Sequence, residues 1–534
     1  MNLRIPLRRR PRAGKAALAA SVLSVVAAAS AACGGSGSGS SATSDGSQPA
    51  VGGRVGDLLT VAGLAAPNSL DPSLALANGR YPIQLAYEPL LIHANDGSYQ
   101  PGLATSWKYA GTDNRKFVLQ LRPDVKFADG GDLSAAGVVD YFHYVATGSG
   151  PQASLFAGDT FTATGPLEVT IDMASPKPDL EYNLSQDTNG GAVISPAGLK
   201  DPKSLSSATA GAGEYMLDPS ASIPGSQYTF VPNPNYYDKG AVHWKKVVYK
   251  AIANPQSTLA ALQSGQVDLA LGDQSTVAGA KQAGLTVTQA PVSVATVNLA
   301  DRQGTKVPAL AQVQVRQALN YAVDRAAIQK ALYPDSGSPA SQMALPGGEG
   351  YDSALDNSYP YDVSKAKSLL AEAGYPNGFS LDLYATDAGG QANLAQAVAQ
   401  QWAKIGVNAS VKDLPNIQAF VQATRGGQAA VYTTNYGPQP IATAGSSLYL
   451  PKVVSNPFHT ADSTLQGLYE QDVAASGSQK QDLDRKIVGY LNQQAWFVPI
   501  VGQDAFYYAT KKITGTQVSA GQPLLWICSV APAK

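Results

Sequence analysis

Few residues in this chain stand at spacings that do chemistry. Ser364-Lys365-Ala366-Lys367 has the serine-to-lysine spacing of a nucleophilic hydroxyl beside an amine base. The SDN and KTG segments that complete such an acyl-transfer site are absent, so these residues read as a solvated helix face opposite Leu369 and Leu370. Gly211-Ala212-Gly213 is not continued to a third glycine and makes no dinucleotide fingerprint. His93, His143, His243 and His459 are far apart, and there is no HExxH, CxxC or phosphate-loop lysine motif. They read as surface or internally satisfied histidines, with no metal site expected. No catalytic residue and no cofactor is implied, so the chain reads as a protein other than an enzyme. Among its 26 tyrosines and 5 tryptophans, a minority on strand ends would suit a pocket wall, because such rings offer an apolar face with a polar edge.

The elements that must position any site come from a chain of 534 residues, 44% hydrophobic and only 14% charged. A soluble domain usually carries about a quarter charged residues, so this one is charge-poor, yet its apolar content fills several cores. Its length suggests roughly two to four domains. Two cysteines exclude a disulfide scaffold, and a net charge of −1 excludes a nucleic-acid footprint.

Residues 1–32 read as an export signal. Arg4, Arg8, Arg9, Arg10, Arg12 and Lys15 form a cationic head, and Ala16 to Ala32 is a small-residue apolar run. The run is short and alanine-rich for a membrane span. Cys33 follows Ala31-Ala32 and resembles the lipid-modified cysteine of a bacterial lipobox, although Ser30 stands where leucine is preferred. Lipidation of Cys33 would leave Cys528 unpaired, so no disulfide is expected. Gly34 to Gly53, rich in Gly, Ser and Thr, reads as a flexible tether. Cleavage before Cys33 would remove all six of these cations and leave an acidic globule moored to the outer face of the cytoplasmic membrane.

Beyond the tether, strands alternate with helices. Lys116 to Leu121 has strand spacing, Gln256 to Ser264 helical spacing ended by Gly265, and Val267 to Ala270 reads as the next strand. Asp362 can cap a helix carrying Ala366, Leu369, Leu370 and Ala373 inward, ended by Gly374 and Pro376. Then follow a strand over Phe379–Tyr384, a helical stripe Leu394, Val398, Trp402 and Ile405 closed by Gly406, a strand through Val407, Ala409 and Val411, a helix over Asn416–Thr424 and a strand over Ala429–Thr434. That order predicts a parallel sheet with crossover helices, whose ligands bind beyond the carboxyl ends of the strands.

Several segments, in order, resemble the peptide/nickel (dipeptide/oligopeptide-binding) family 5 of solute-binding proteins that serve ABC importers. They are Asn68-Ser69-Leu70-Asp71-Pro72, Tyr87-Glu88-Pro89-Leu90-Leu91, Asp96 through Trp107, Leu121-Arg122-Pro123-Asp124-Val125-Lys126-Phe127, Asn233-Pro234-Asn235-Tyr236-Tyr237 and Leu262 through Asp268. The strongest is Val315-Arg316-Gln317-Ala318-Leu319-Asn320-Tyr321-Ala322-Val323-Asp324-Arg325, followed by Ala366 through Tyr375. Most are folding signals; Asp324 reads as a helix cap. The resemblance covers roughly residues 57–515. It implies an α/β, bilobal periplasmic-binding-protein-like (type II) fold with an extra subdomain on the first lobe. Lobe I is expected at 57–90, 210–295 and 503–534, the subdomain at 91–209 and lobe II at 296–502. It further implies a monomer that closes over a small solute and hands it to an ABC permease and ATPase, with no nucleic-acid partner.

The resemblance also places candidate cleft walls at Ala77, Asn78 and Gly79 and at Tyr432, Thr434, Asn435, Tyr436 and Gly437, with Asp387 in the loop before the helix that ends at Gly406. In dipeptide binders an aspartate holds the peptide ammonium and an arginine its carboxylate. Here the matching positions are Asn435 and an arginine-free loop, Ala385 to Gly390. A buried ammonium without a counter-charge is costly, so a neutral or blocked peptide-like solute is expected over a free dipeptide, unless Asp387 supplies the charge. An oligosaccharide, a natural product, a nickel chelate or a sensing role without transport are the alternatives.

Overall fold

The structure, a computed structural model, describes residues 55–334, 336–386, 390–451, 453 and 455–534. Residues 1–32, read above as an export signal, together with Cys33 and Asp387, lie outside them. Among the described residues, eleven strands form one mixed sheet: β1 (Leu59–Gly63), β2 (Tyr215–Leu217), β3 (Gln227–Pro232), β4 (Val247–Ala251), β5 (Leu269–Leu271), β6 (Thr286–Leu299), β7 (Ser338–Pro339), β8 (Ser380–Thr386), β9 (Asn408–Leu414), β10 (Val431–Tyr436) and β11 (Phe497–Ala509). Their spatial order is β9-β8-β10-β6-β11-β5-β1-β4-β3-β2, with β7 on β11.

The two longest strands hold this sheet together. The start of β6 pairs the end of β11, Thr286 with Ala509, where β5 takes the other edge of β11. Further along, Val294 to Leu299 of β6 take β10 on the other edge while Val294 to Asn298 still pair β11, whose own outer edge is met by short β7 at Gly502 and Val501. Between these zones β6 and β11 pair only each other, and their register shifts there at Pro291/Ser293 and again, inside the β10 zone, at Ala295/Thr296. A two-stranded ribbon twists and bends more readily than a wide sheet, and bulges add to that freedom. The ribbon divides the sheet into the two α/β halves of a bilobal type II fold, and it is their hinge.

In the second half, β8 pairs β9 and β10 in parallel, as the alternation of helices and strands from Asp362 to Thr434 predicts. Asp362 Oδ1 accepts from the Lys365 N–H at 2.8 Å and opens the helix Val363–Glu372. Gly374 and Gly406 stop their helices with φ of 86° and 83°, a conformation a Cβ disfavours. Trp402 is fully buried among Leu394, Val398 and Val407, and its Nε1–H donates to Leu319 O at 3.0 Å. Asp324 caps the helix Arg325–Leu332 by accepting from the Ala327 N–H.

Within 91–209 a separate antiparallel sheet orders Ala104–Tyr109, Lys116–Leu121, Glu168–Asp172 and Thr160–Ala163. The helix Ala135–Thr147 packs Val138, Phe142 and Val145 into the same core as Phe117, Leu119 and Ile171. That core is continuous with the first half of the main sheet through Leu59, Val61 and Val247.

Candidate functional site

A cavity of about 1090 Å³ lies where the two halves meet the hinge. The first half contributes Gly63 and Leu64 after β1, Ala77, Asn78, Arg80 and Tyr81 at the start of the helix Arg80–Ala86, Tyr249 of β4 and the turn Gly272 to Ser275 after β5. Val292 and Ser293 of β6 and Gln503 to Tyr507 of β11 form its back. The second half contributes Leu332 to Pro334, Ser336, Gly390, Asn393 and Asn435. The wall thus includes the carboxyl ends of parallel β1 and β5, where an α/β sheet presents open loop termini. Pockets for small molecules usually span about 300–1,000 Å³, so this one suits an oligomeric rather than a minimal solute.

The first wall is aromatic. The Tyr249 hydroxyl donates to Ala65 O at 2.7 Å, and the Asn78 side-chain amide donates to Ala66 O, which fixes the loop after β1. Gly63 is required there, because a Cβ would fall 2.0 Å from the Tyr249 oxygen. The Tyr507 hydroxyl donates to Pro523 O at 3.1 Å. Burial, with smaller contributions from neighbouring tyrosines, pushes the Tyr81 phenol well above its ordinary pKa. The second wall carries the amides of Asn393 and Asn435 beside Leu332, Tyr333 and Pro334. Gln391 is buried, and its Nε2–H donates to Asn435 Oδ1 at 2.8 Å, while its own Oε1 has no partner among the described residues.

The cavity also holds charge. Arg80 is partly buried and lines the first wall. Asp504 of β11 accepts from the Gly337 N–H at 3.0 Å and the Gln289 side chain at 3.2 Å, and burial raises its pKa. Asp273 accepts from Ser275, both from its N–H and from its hydroxyl, and so caps its own turn.

Ala77, Asn78 and Asn435 therefore lie in the wall of this cavity. Gly79 is buried just behind it, against Ala75 and Ser69. Tyr432, Thr434, Tyr436 and Gly437 are not among its lining residues. Side chains alternate along β10, so the neighbours of Asn435 face the other way. On that other face the Asn298 amide donates to the hydroxyls of Tyr432, at 2.6 Å, and Tyr436, at 3.2 Å. Arg302 completes this second polar cluster, donating to Asn298 Oδ1 at 2.7 Å with its guanidinium 4.0 Å from the Trp496 ring centre. Arg80 and Asp504 bring formal charge to the cavity from elements other than those the resemblance singled out. Arg80 had one faint signal in the sequence: it is the only charge between Asp71 and Glu88. Asp504 and the aromatic residues Phe506 and Tyr507 had none, because nothing local marks β11 as a hinge.

Among the described residues, no group of three or more His, Cys, Asp or Glu side chains is placed to hold a metal ion, and no helix is long and apolar enough to cross a membrane. Cys528 is buried, its thiol 3.4 Å from Gln84 O.

A bilobal α/β fold with a hinge ribbon and an interlobe cavity defines a solute-binding protein. Residues 98–452 match the family model of bacterial extracellular solute-binding proteins, family 5, and the chain belongs to that family, the solute-binding proteins of ABC importers. It is 29% identical over 386 residues to the heme-binding protein A of Haemophilus influenzae, covering 64% of this chain and 67% of that one. It is 27% identical over 484 residues to the nickel-binding periplasmic protein of Escherichia coli, covering 83% and 88%. The structure of the ABC transporter substrate-binding protein CtaP from Listeria monocytogenes shares its fold, with a TM-score of 0.77 at 20% identity, covering 90% of this chain and all of that one.

Proposed function

We propose that this protein captures a peptide-like or other oligomeric solute in the interlobe cavity and delivers it to its permease as a monomer moored by lipid on Cys33 to the outer face of the cytoplasmic membrane. The observation that carries the reading is the cavity itself, walled by both halves of the sheet and backed by both hinge strands. A solute that touches both walls stabilises the closed form in proportion to its differential contacts, and that difference is what a permease can sense. The amides of Asn393 and Asn435 suit an amide-bearing chain, and Tyr81, Tyr249, Tyr333 and Phe506 suit its apolar side groups. The lobes are assigned to 57–90, 210–295 and 503–534 for the first and 296–502 for the second, with the subdomain at 91–209. No catalytic role is assigned to any residue. The test is mass spectrometry of small molecules released from protein purified from its own host. One oligomeric species at near-stoichiometric amount, with a smaller radius of gyration on rebinding, supports the reading. An unchanged scattering profile with every released compound removes it.

A further inference from the structure

We propose that the solute carries an anionic, two-oxygen group of the carboxylate class and that Arg80 receives it. This rests on the solute-capture reading above and names the chemistry of that site. Arg80 forms no ion pair and no side-chain hydrogen bond among the described residues, although it stands in the cavity wall. Its Nη1 is shielded from solvent and has no partner.

A guanidinium carries five N–H donors in a planar fork. Leaving such donors shielded and unpaired is costly, and folds retain that arrangement where something else completes it. Of the three buried arginines among the described residues, Arg302 also leaves Nε and Nη1 without a hydrogen-bond partner but stacks on the Trp496 ring, while the other two show the contrast. Arg316 and Arg325 spend their donors on main-chain carbonyls of Leu310, Gln494, Pro499 and Tyr359. Arg80 has no such carbonyl.

Among the described residues no carboxylate forms an ion pair with its guanidinium. The nearby groups that sense it are the phenols of Tyr81, Tyr182 and Tyr507, which stay neutral. The two carboxylates of the same cavity are engaged elsewhere: Asp504 by Gly337 and Gln289, Asp273 by Ser275. Arg80 therefore stands in the cavity wall with its donors unspent on the protein, and a carboxylate satisfies a guanidinium fork through two parallel hydrogen bonds. The amide-lined second wall then holds the uncharged length of the solute.

The experiment uses culture extract of the native host, divided on a strong anion exchanger at pH 7, and thermal melting of the wild type, Arg80→Gln and Arg80→Lys. The expected result is stabilisation by the retained half, with Arg80→Gln needing at least tenfold more extract for the same shift and Arg80→Lys an intermediate amount. Without extract, Arg80→Gln should melt no lower than the wild type, because no internal partner is lost; a lower melting temperature would mark a structural role instead. Stabilisation by the unretained half, or an equal response of Arg80→Gln, overturns the inference and leaves solute capture standing. Stabilisation by neither half removes solute capture and this inference with it.

Discussion

The Asp179 carboxylate accepts two hydrogen bonds from Thr443, one from its hydroxyl at 2.6 Å and one from its N–H at 3.2 Å. These residues are 264 positions apart and belong to different cores: Leu180 packs with the subdomain, Ile441 and Ala444 with the helices over the second half. Asn114, held at φ 52°, makes a second link of the same kind, its side-chain amide donating to Val473 O at 3.0 Å and Ala475 O at 3.1 Å. Both links tie the subdomain to the second half.

Breaking both links should open the protein. Hydrogen bonds to a charged acceptor contribute roughly 1.5–3 kcal/mol and neutral ones about 1 kcal/mol. Asp179→Ala together with Asn114→Ala is expected to enlarge the radius of gyration of the unliganded protein and to lower solute affinity severalfold, read by X-ray scattering and titration calorimetry. A scattering curve identical to wild type would show that these bonds do not set the lobe equilibrium.

Stability should fall between weakly acidic and neutral pH because of Glu88. Burial raises its pKa from 4.5 to about 7, only partly offset by the Tyr237 hydroxyl, which donates at 2.7 Å, and by Arg122. The folded protein keeps this proton after the unfolded chain has released it, so the group's contribution is fully present below pH 4.5 and is lost as pH rises through about 7. The loss is on the order of 3 kcal/mol. Buried Glu214 acts in the same direction. Urea unfolding at pH 5 and pH 8 should show this slope in the wild type and a clearly shallower one in Glu88→Gln.

Gly63→Ala should injure the cavity more than the fold. The new methyl group would meet the Tyr249 oxygen at 2.0 Å and force that phenol off Ala65. Solute affinity is expected to drop tenfold or more with a modest change in melting temperature. Wild-type affinity in this variant would place the solute away from the β1 loop.

Trp402→Ala should cost about 3–5 kcal/mol, the usual range for emptying a large buried ring site. The ring fills the space between the helix that carries it and Val407, and it supplies the hydrogen bond to Leu319. A loss below 1 kcal/mol by denaturant unfolding would mean that the second half repacks freely.

Local pattern alone determined the order of helices and strands from Asp362 to Thr434, because apolar spacing, capping residues such as Asp362 and Asn416, and glycines such as Gly374 and Gly406 act within one turn of chain. The ordered motifs determined the family. The tertiary structure decided the rest. It chose which face of β10 meets the cavity, keeping Asn435 and turning Tyr432 and Tyr436 toward Asn298. It brought Arg80 and Asp504, residues more than four hundred positions apart, into the lining of one cavity. Neither outcome is encoded in neighbouring residues, since both follow from how β6 and β11 bend and which strands they pair.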